Sequence, residues 1–317
     1  MSLASADNPA PIPASLPGAA GWRALPPEYA IPAQAPSLEE ARQYCSRLAH
    51  SHYENFSVVT WLLPSQLHQH FYNVYAYCRI SDDLGDEVGD KQQSLILLDE
   101  WEAELNQCYS GTPRHPVFVA LRETVREFDI PQHEFSDLLT AFRQDQLVSR
   151  YPTFEGLLGY CRNSANPVGH LVLYLCGYRD KERQQLSDYT CTALQLANFW
   201  QDVAVDYCKG RIYLPLEDLS RFGVSEESIA QRRATPGFLA MMKFEVERAQ
   251  EWFARGLPLA KQVKKRLAFD IELFSRGGLA ILDAINRQGY DVLRQRPVIS
   301  KSRKLWLVAR AALGRLL

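Results

Sequence analysis

The 317-residue chain is missing several common signatures, and each gap removes a class of protein. No stretch approaches the ~20 apolar residues that cross a bilayer, so a spanning helix is not expected. The start, Met1-Ser-Leu-Ala-Ser-Ala-Asp7, has no basic residues followed by an apolar block, so no secretory signal is expected. There is no CxxC pair: the seven cysteines (45, 78, 108, 161, 176, 191 and 208) are scattered and odd in number. That spacing suits neither a zinc site nor a disulfide framework, and implies reduced thiols filling the core of a cytoplasmic protein. Charge of one sign is also missing. With 35 Lys+Arg against 37 Asp+Glu the net charge is −2, which argues against a nucleic-acid partner. GxGxxG, GxxxxGK[ST] and strand–helix alternation are absent, which argues against nucleotide-binding α/β folds.

What is present is apolar and helical. Hydrophobic residues make up 46%, enough for one large core or two modest ones. Residues 1–36 hold 8 of the 18 prolines and read as a flexible tail or an extended arm on the domain. Helical patterning begins at Ser37-Leu-Glu-Glu40, a capping box. Beyond it apolar residues recur at three- and four-residue spacing, as in Leu95, Leu98, Trp101, Leu105 and in Phe135, Leu138, Leu139, Phe142. Turn signals fall at 111–116, Ile130-Pro131, 151–153 and 235–237, and one short extended piece at Arg211-Ile-Tyr-Leu-Pro215. The expectation is a single all-α domain of roughly ten helices over residues 37–300. A basic amphipathic segment, 301–317, then offers either a last packed helix or a foothold on anionic lipid.

Two acidic clusters carry the chemistry. Asp82, Asp83, Asp86 and Glu87 end an aromatic-rich run beginning at Phe71, and on a helix Asp82/Asp86 and Asp83/Glu87 share faces. Asn198, Asp202 and Asp206 recur every fourth residue, drifting only about 40° per step, among Phe199, Trp200, Val203 and Val205. One Asp-rich stretch is usually a solvated helix face. Two such rows, embedded in apolar sequence and flanked by Arg79, Lys209 and Arg211, are better explained as a clamp. Mg²⁺ takes one or two carboxylates plus water and phosphate, so facing rows can hold a diphosphate between metal ions.

With these residues in hand, the chain from about Ala41 to Tyr290 resembles the squalene/phytoene synthase family of head-to-head prenyl synthases. The resemblance rests on Asp82-Asp83-Leu-Gly-Asp86, on Asn198-xxx-Asp202-xxx-Asp206, and on Gly210-Arg211-Ile-Tyr213-Leu-Pro215. It implies the isoprenoid-synthase helical bundle with a central cavity. Three segments, His52-Tyr-Glu-Asn55-Phe56-Ser57, Asn73-Val-Tyr-Ala-Tyr-Cys-Arg79 and Ser164-Ala-Asn166-Pro167-Val-Gly169-His170, resemble the hydroxysqualene-forming branch of bacterial hopanoid biosynthesis. Members of that branch ionise presqualene diphosphate and quench the rearranged cation with water. The implied cofactor is Mg²⁺ without NADPH. Implied partners are presqualene diphosphate, an enzyme that hands it over, an enzyme that reduces hydroxysqualene, and peripheral contact with the inner face of the membrane.

By this resemblance Asp82, Asp86, Asn198, Asp202 and Asp206 hold metal, with Asp83 and Glu87 accessory. Arg79, Lys209 and Arg211 contact diphosphate, and His52, Asn55, Phe56 and Tyr290 contact substrate. Tyr75 and Tyr160 face the carbocation; each also reads as a core tyrosine with a paired hydroxyl. Asn166-Pro167 is read as a kink within a helix, which frees the carbonyl of Asn163 and holds the quenching water, or else simply packs closely at Gly169. Gln201 stands where related enzymes often carry Arg. Two rivals stay open: condensation of farnesyl or geranylgeranyl diphosphates to presqualene diphosphate, squalene or phytoene, and a non-catalytic assembly protein.

Overall fold

The periodic apolar pattern folds into thirteen α-helices among the residues that the computed structural model describes, 29–51 and 64–300. Ten are long: α1 (Leu38–Ser51), α2 (Ser65–Asp86), α3 (Lys91–Ser110), α4 (Pro116–Phe128), α5 (His133–Leu147), α6 (Phe154–Ser164), α7 (Asn166–Leu175), α8 (Lys181–Cys208), α11 (Pro236–Gly256) and α13 (Lys265–Arg287). Three are short: α9 (Leu216–Arg221), α10 (Glu226–Ala230) and α12 (Leu259–Gln262). The all-α expectation holds. His52, Asn55, Phe56, residues 1–28 and the basic 301–317 segment lie outside the described residues.

Several helices start where the sequence supplies caps. Ser37 donates its N–H and hydroxyl to Glu40 (2.8 and 2.7 Å), which is the capping box read from the sequence. Asp90, Thr153, Asp180 and Thr235 each accept an N–H two or three residues into α3, α6, α8 and α11, at 2.7–3.2 Å. The extended piece at 211–215 lies beside residues 149–152. Ile212 donates to the Ser149 carbonyl at 2.9 Å and forms a parallel bridge with Arg150.

Apolar burial divides into two cores. Helices α1–α5 close around Tyr77, Trp101, Phe118 and Phe135, with Leu171, Tyr174 and Leu175 of α7 completing that cluster. The second core surrounds α8, whose Phe199, Trp200 and Val203 meet Phe238, Met241 and Phe253 of α11 and Leu282 and Ile285 of α13. Each fully buried side chain of this size contributes roughly 1.5–3 kcal/mol relative to exposure. The cysteines are all free, and burial pushes the thiols of Cys45, Cys78, Cys108, Cys161, Cys176 and Cys191 up to about 12. They are inert core filler at neutral pH. No helix among the described residues is long and apolar enough to cross a membrane.

One local expectation is corrected. Asn166-Pro167 does not kink the interior of a helix: the chain breaks at Ala165, which ends α6 and precedes α7. Pro167 sits in the first turn of α7, where its missing N–H removes no intrahelical bond. The close approach at Gly169 is present. A Cβ there would collide with Ser187 Oγ and lie 2.6 Å from Cys191 Sγ, so glycine lets α7 lie directly on α8.

Candidate active site

The first acidic row stands at the end of α2. Leu84 and Gly85 are buried, and Gly85 faces the Phe142 ring of α5 closely enough that its Cβ would sit 3.2 Å from Phe142 Cδ1. Gln146 of α5 donates its amide to the Gly85 carbonyl at 2.7 Å. These contacts fix the helix end, so Asp82 lies half-exposed beside it while Asp86 and Glu87 emerge into solvent. The second row runs along α8. Asn198, Asp202 and Asp206 are half-buried on one face, while Phe199, Trp200, Val203 and Ala204 are buried on the others.

Cations that follow α8 join the two rows. Gly210 takes a left-handed φ of 80°, a turn that glycine makes without strain, and it places Lys209 and Arg211 on either side. Both terminal nitrogens of Arg211 donate to Asp86 Oδ1 at 3.0 Å, and Lys209 Nζ lies 3.7 Å from Asp86 Oδ2. Burial, then the charge of Asp202, pushes the Asp206 carboxyl up to about 8; Lys209 and Arg211 pull it down, and Asp86 adds to the push. Asp202 itself receives Arg296, through Nε to Oδ1 and through Nη2 to Oδ2 at 3.0 Å. Gln201 steers that arginine, accepting from Arg296 Nη2 at 3.2 Å and donating to the Pro297 carbonyl at 2.6 Å.

Asp83 faces away from this group. It is 5% exposed and grips Arg79, which donates Nε at 3.1 Å and pairs through Nη2. Arg79 Nη1 also lies 3.8 Å from Asp82. Glu87 caps α2 with its N–H on the Asp83 carbonyl. Tyr75 sits one turn before Arg79, half-buried, and burial pushes its hydroxyl up.

A nest of aromatic rings adjoins the rows. Phe199 stacks on Tyr213 with centroids 4.0 Å apart, and Tyr160 lies 5.8 Å from Tyr213 and 6.1 Å from Phe199. The Tyr160 hydroxyl donates to Asp145 Oδ2 at 2.7 Å and Tyr213 to Oδ1 at 3.2 Å. Burial pushes Asp145 up to about 6 against the pull of Arg211 and the two phenols. Asn166 is buried against α8 and accepts from Thr192 Oγ1 at 3.0 Å. Tyr290 packs on the second core in a left-handed turn (φ 67°), where its N–H closes α13 on the Ile285 carbonyl. Among the described residues, neither acidic row holds it by a hydrogen bond or an ion pair.

Asp145, Arg296 and Tyr213 carry site contacts that the motif reading left without a role. For Asp145 a signal existed: residues 135, 138, 139 and 142 form an apolar stripe, and Asp145 and Gln146 continue its spacing with polar atoms. Arg296 follows α13 in irregular chain, where periodicity carries no information.

The donors on the two rows are carboxylate and amide oxygens, the hard ligands that suit Mg²⁺. Among the described residues no three His, Cys, Asp or Glu side chains form a ready-made cage. Mg²⁺ needs only one or two carboxylates when water and phosphate complete its shell. A carboxyl held at about 8 by burial and a neighbouring carboxylate is a group whose ionised form calls for a cation, so the residues fit the metal.

An all-α bundle with two facing acid rows, a basic flank and an aromatic wall defines the class of isoprenoid synthases, and comparison with known proteins agrees. The chain belongs to the squalene/phytoene synthase family, whose profile matches residues 49–303. It is 48% identical to squalene synthase HpnC from Alicyclobacillus acidocaldarius, over 80% of this chain and 95% of that one, with a TM-score of 0.76. A dehydrosqualene synthase solved with a ligand is 25% identical over 88% and 98% of the two chains, with a TM-score of 0.79. The 15-cis-phytoene synthase of Synechococcus elongatus is 30% identical over 85% of this chain and 91% of its own. The family comprises head-to-head synthases that act on prenyl diphosphates and are generally Mg²⁺-dependent.

Proposed function

We propose that the protein is a hydroxysqualene synthase, which ionises presqualene diphosphate and adds water to the rearranged cation, releasing diphosphate. The observation that carries this reading is the joining of the acidic rows through Arg211 and Asp86, next to a wall of aromatic rings. The 48% identity to squalene synthase HpnC supports the squalene-side assignment over the phytoene synthases at 30%.

Asp82, Asp86, Asn198, Asp202 and Asp206 would hold Mg²⁺, which when bound supplies positive charge to the departing diphosphate. Arg79, Lys209 and Arg211 add charge-assisted donors; Arg211 exchanges part of its hold on Asp86 for phosphate oxygen. The rings of Tyr160, Tyr213 and Phe199 present π faces to passing positive charge. Asp145 keeps the two phenols oriented. Asn166 and Tyr75 complete the reading as contacts of the cation and its water, and His52, Asn55, Phe56 and Tyr290 as contacts of the chain. Further parts of the proposal are reception of substrate from a presqualene diphosphate synthase, hand-over to a reducing enzyme, and a lipid foothold at 301–317.

The test is to incubate purified protein and Mg²⁺, without NADPH, with presqualene diphosphate and with farnesyl or geranylgeranyl diphosphate in separate vessels. Mass spectrometry of the lipids should find hydroxysqualene from presqualene diphosphate alone. Consumption of the shorter diphosphates would move the protein to the condensing branch, which the phytoene synthase relatives represent. Inertness toward all three would sink catalysis.

A further inference from the structure

One contact ties the first acidic row to a part of the chain otherwise outside the site. Tyr29, in the N-terminal arm nine residues ahead of Leu38, donates its hydroxyl to Asp83 Oδ2 at 2.7 Å. The same oxygen receives Arg79 Nε at 3.1 Å, and the other pairs with Arg79 Nη2. Asp83 is therefore gripped from two sides, and it is 5% exposed. The remaining edge of the Arg79 guanidinium, Nη1, points toward Asp82 at 3.8 Å.

We infer that Tyr29 is a positioning residue for Arg79, acting through Asp83 to present the remaining Nη1 edge of the guanidinium, beside Asp82, to diphosphate. This rests on the function proposed above. A carboxylate held only by an arginine can turn about its own bond, and the arginine turns with it. A third attachment, from a separate segment, fixes the carboxylate plane and so the guanidinium plane. The phenol also takes up part of the Asp83 charge, leaving more of the Arg79 field for ligand. Burial and the Asp83 hydrogen bond push the Tyr29 hydroxyl well above its ordinary range, so it stays a donor at any working pH. The arm thus takes part in the site from residue 29 onward.

Tyr29→Phe keeps the ring, which packs on the first core, and deletes only the donor. Two readouts are needed: Mg²⁺-dependent binding of inorganic pyrophosphate by calorimetry, and KM and kcat with presqualene diphosphate. The expected result is about tenfold weaker pyrophosphate binding and a matching rise in KM, with kcat near wild type, from loss of one hydrogen bond to a charged group. Asp83→Asn should weaken binding as well, and Tyr29→Phe added to it should cost nothing more, because the two act through one path. Unchanged binding in Tyr29→Phe, or losses that multiply in the double variant, would overturn the inference while leaving the function intact. Wild-type protein that fails to bind pyrophosphate would overturn the function and this inference with it.

Discussion

Asp206 shows how burial and a neighbouring carboxylate act on a single carboxyl of the candidate site. Burial and Asp202 raise it to about 8, whereas an unfolded aspartate titrates near ~4. A raised carboxyl binds its proton more tightly in the folded state. Its charge therefore costs stability, not at all below about pH 4 and in full above about pH 8. Asp206→Asn deletes that cost. In metal-free protein at pH 9 the variant should melt a few degrees above wild type, and at pH 4 the two should converge. Turnover should fall at least ~100-fold, the scale of one lost electrostatic contact to developing charge. Melting with chelator across this pH range checks the first claim, and product formation checks the second. Residues of this kind were legible in the sequence because an oxygen row on an apolar helix has no other easy explanation. Tyr29 and Arg296 were not, because they reach Asp83 and Asp202 from irregular segments by folding over 54 and 94 residues of chain.

At the scale of elements, the sequence marked some helix boundaries, at Ser37 and at the turns 111–116, 130–131, 151–153 and 235–237, because they are local events: a capping side chain, a proline, a glycine turn. It misjudged Asn166-Pro167 for the same reason. Proline three residues after a helix end and proline within a helix look alike until the chain path is known, and here Ala165 is the break. The next glycine then has a tertiary role. Gly169→Ala would force its new methyl into Ser187 Oγ and Cys191 Sγ, separating α7 from α8, at a cost of about 1–3 kcal/mol for overpacking. Adding Ser187→Ala and Cys191→Ala removes both obstructing atoms and should recover most of the loss. Urea unfolding of the single and triple variants decides it. If Gly169→Ala alone is neutral, the helices approach less closely than the structure shows.

Across the whole molecule, a polar link centred on His170 ties elements of the two cores together, in addition to the Arg211–Asp86 pair. His170 of α7 bonds through Nδ1 to Glu134 Oε2 of α5 at 2.9 Å and through Nε2 to Asp188 Oδ1 of α8 at 2.7 Å. His133 lies 3.5 Å from Glu134, and Asp137 stands near enough to feel both histidines. Burial alone would lower the His170 imidazole, but the hydrogen bonds and charges of Asp188 and Glu134 prevail and hold it at about 9, above its ordinary value near ~6.5. A raised histidine stabilises the fold fully below its unfolded value and loses that contribution as pH rises through its folded one. The window is therefore about pH 6.5 to 9, and the loss on the order of 2 kcal/mol once the partial exposure of Asp188 is discounted. Asp206 and Glu245, both raised to about 8, also cost stability over the same range, so the wild-type slope alone does not isolate the histidine. The difference from His170→Gln does. Urea unfolding at pH 6, 7.5 and 9.5 should find the variant weaker at pH 6 and the gap closing by pH 9.5. A gap that stays constant with pH would mean that His170 holds the cores together by packing and not by charge.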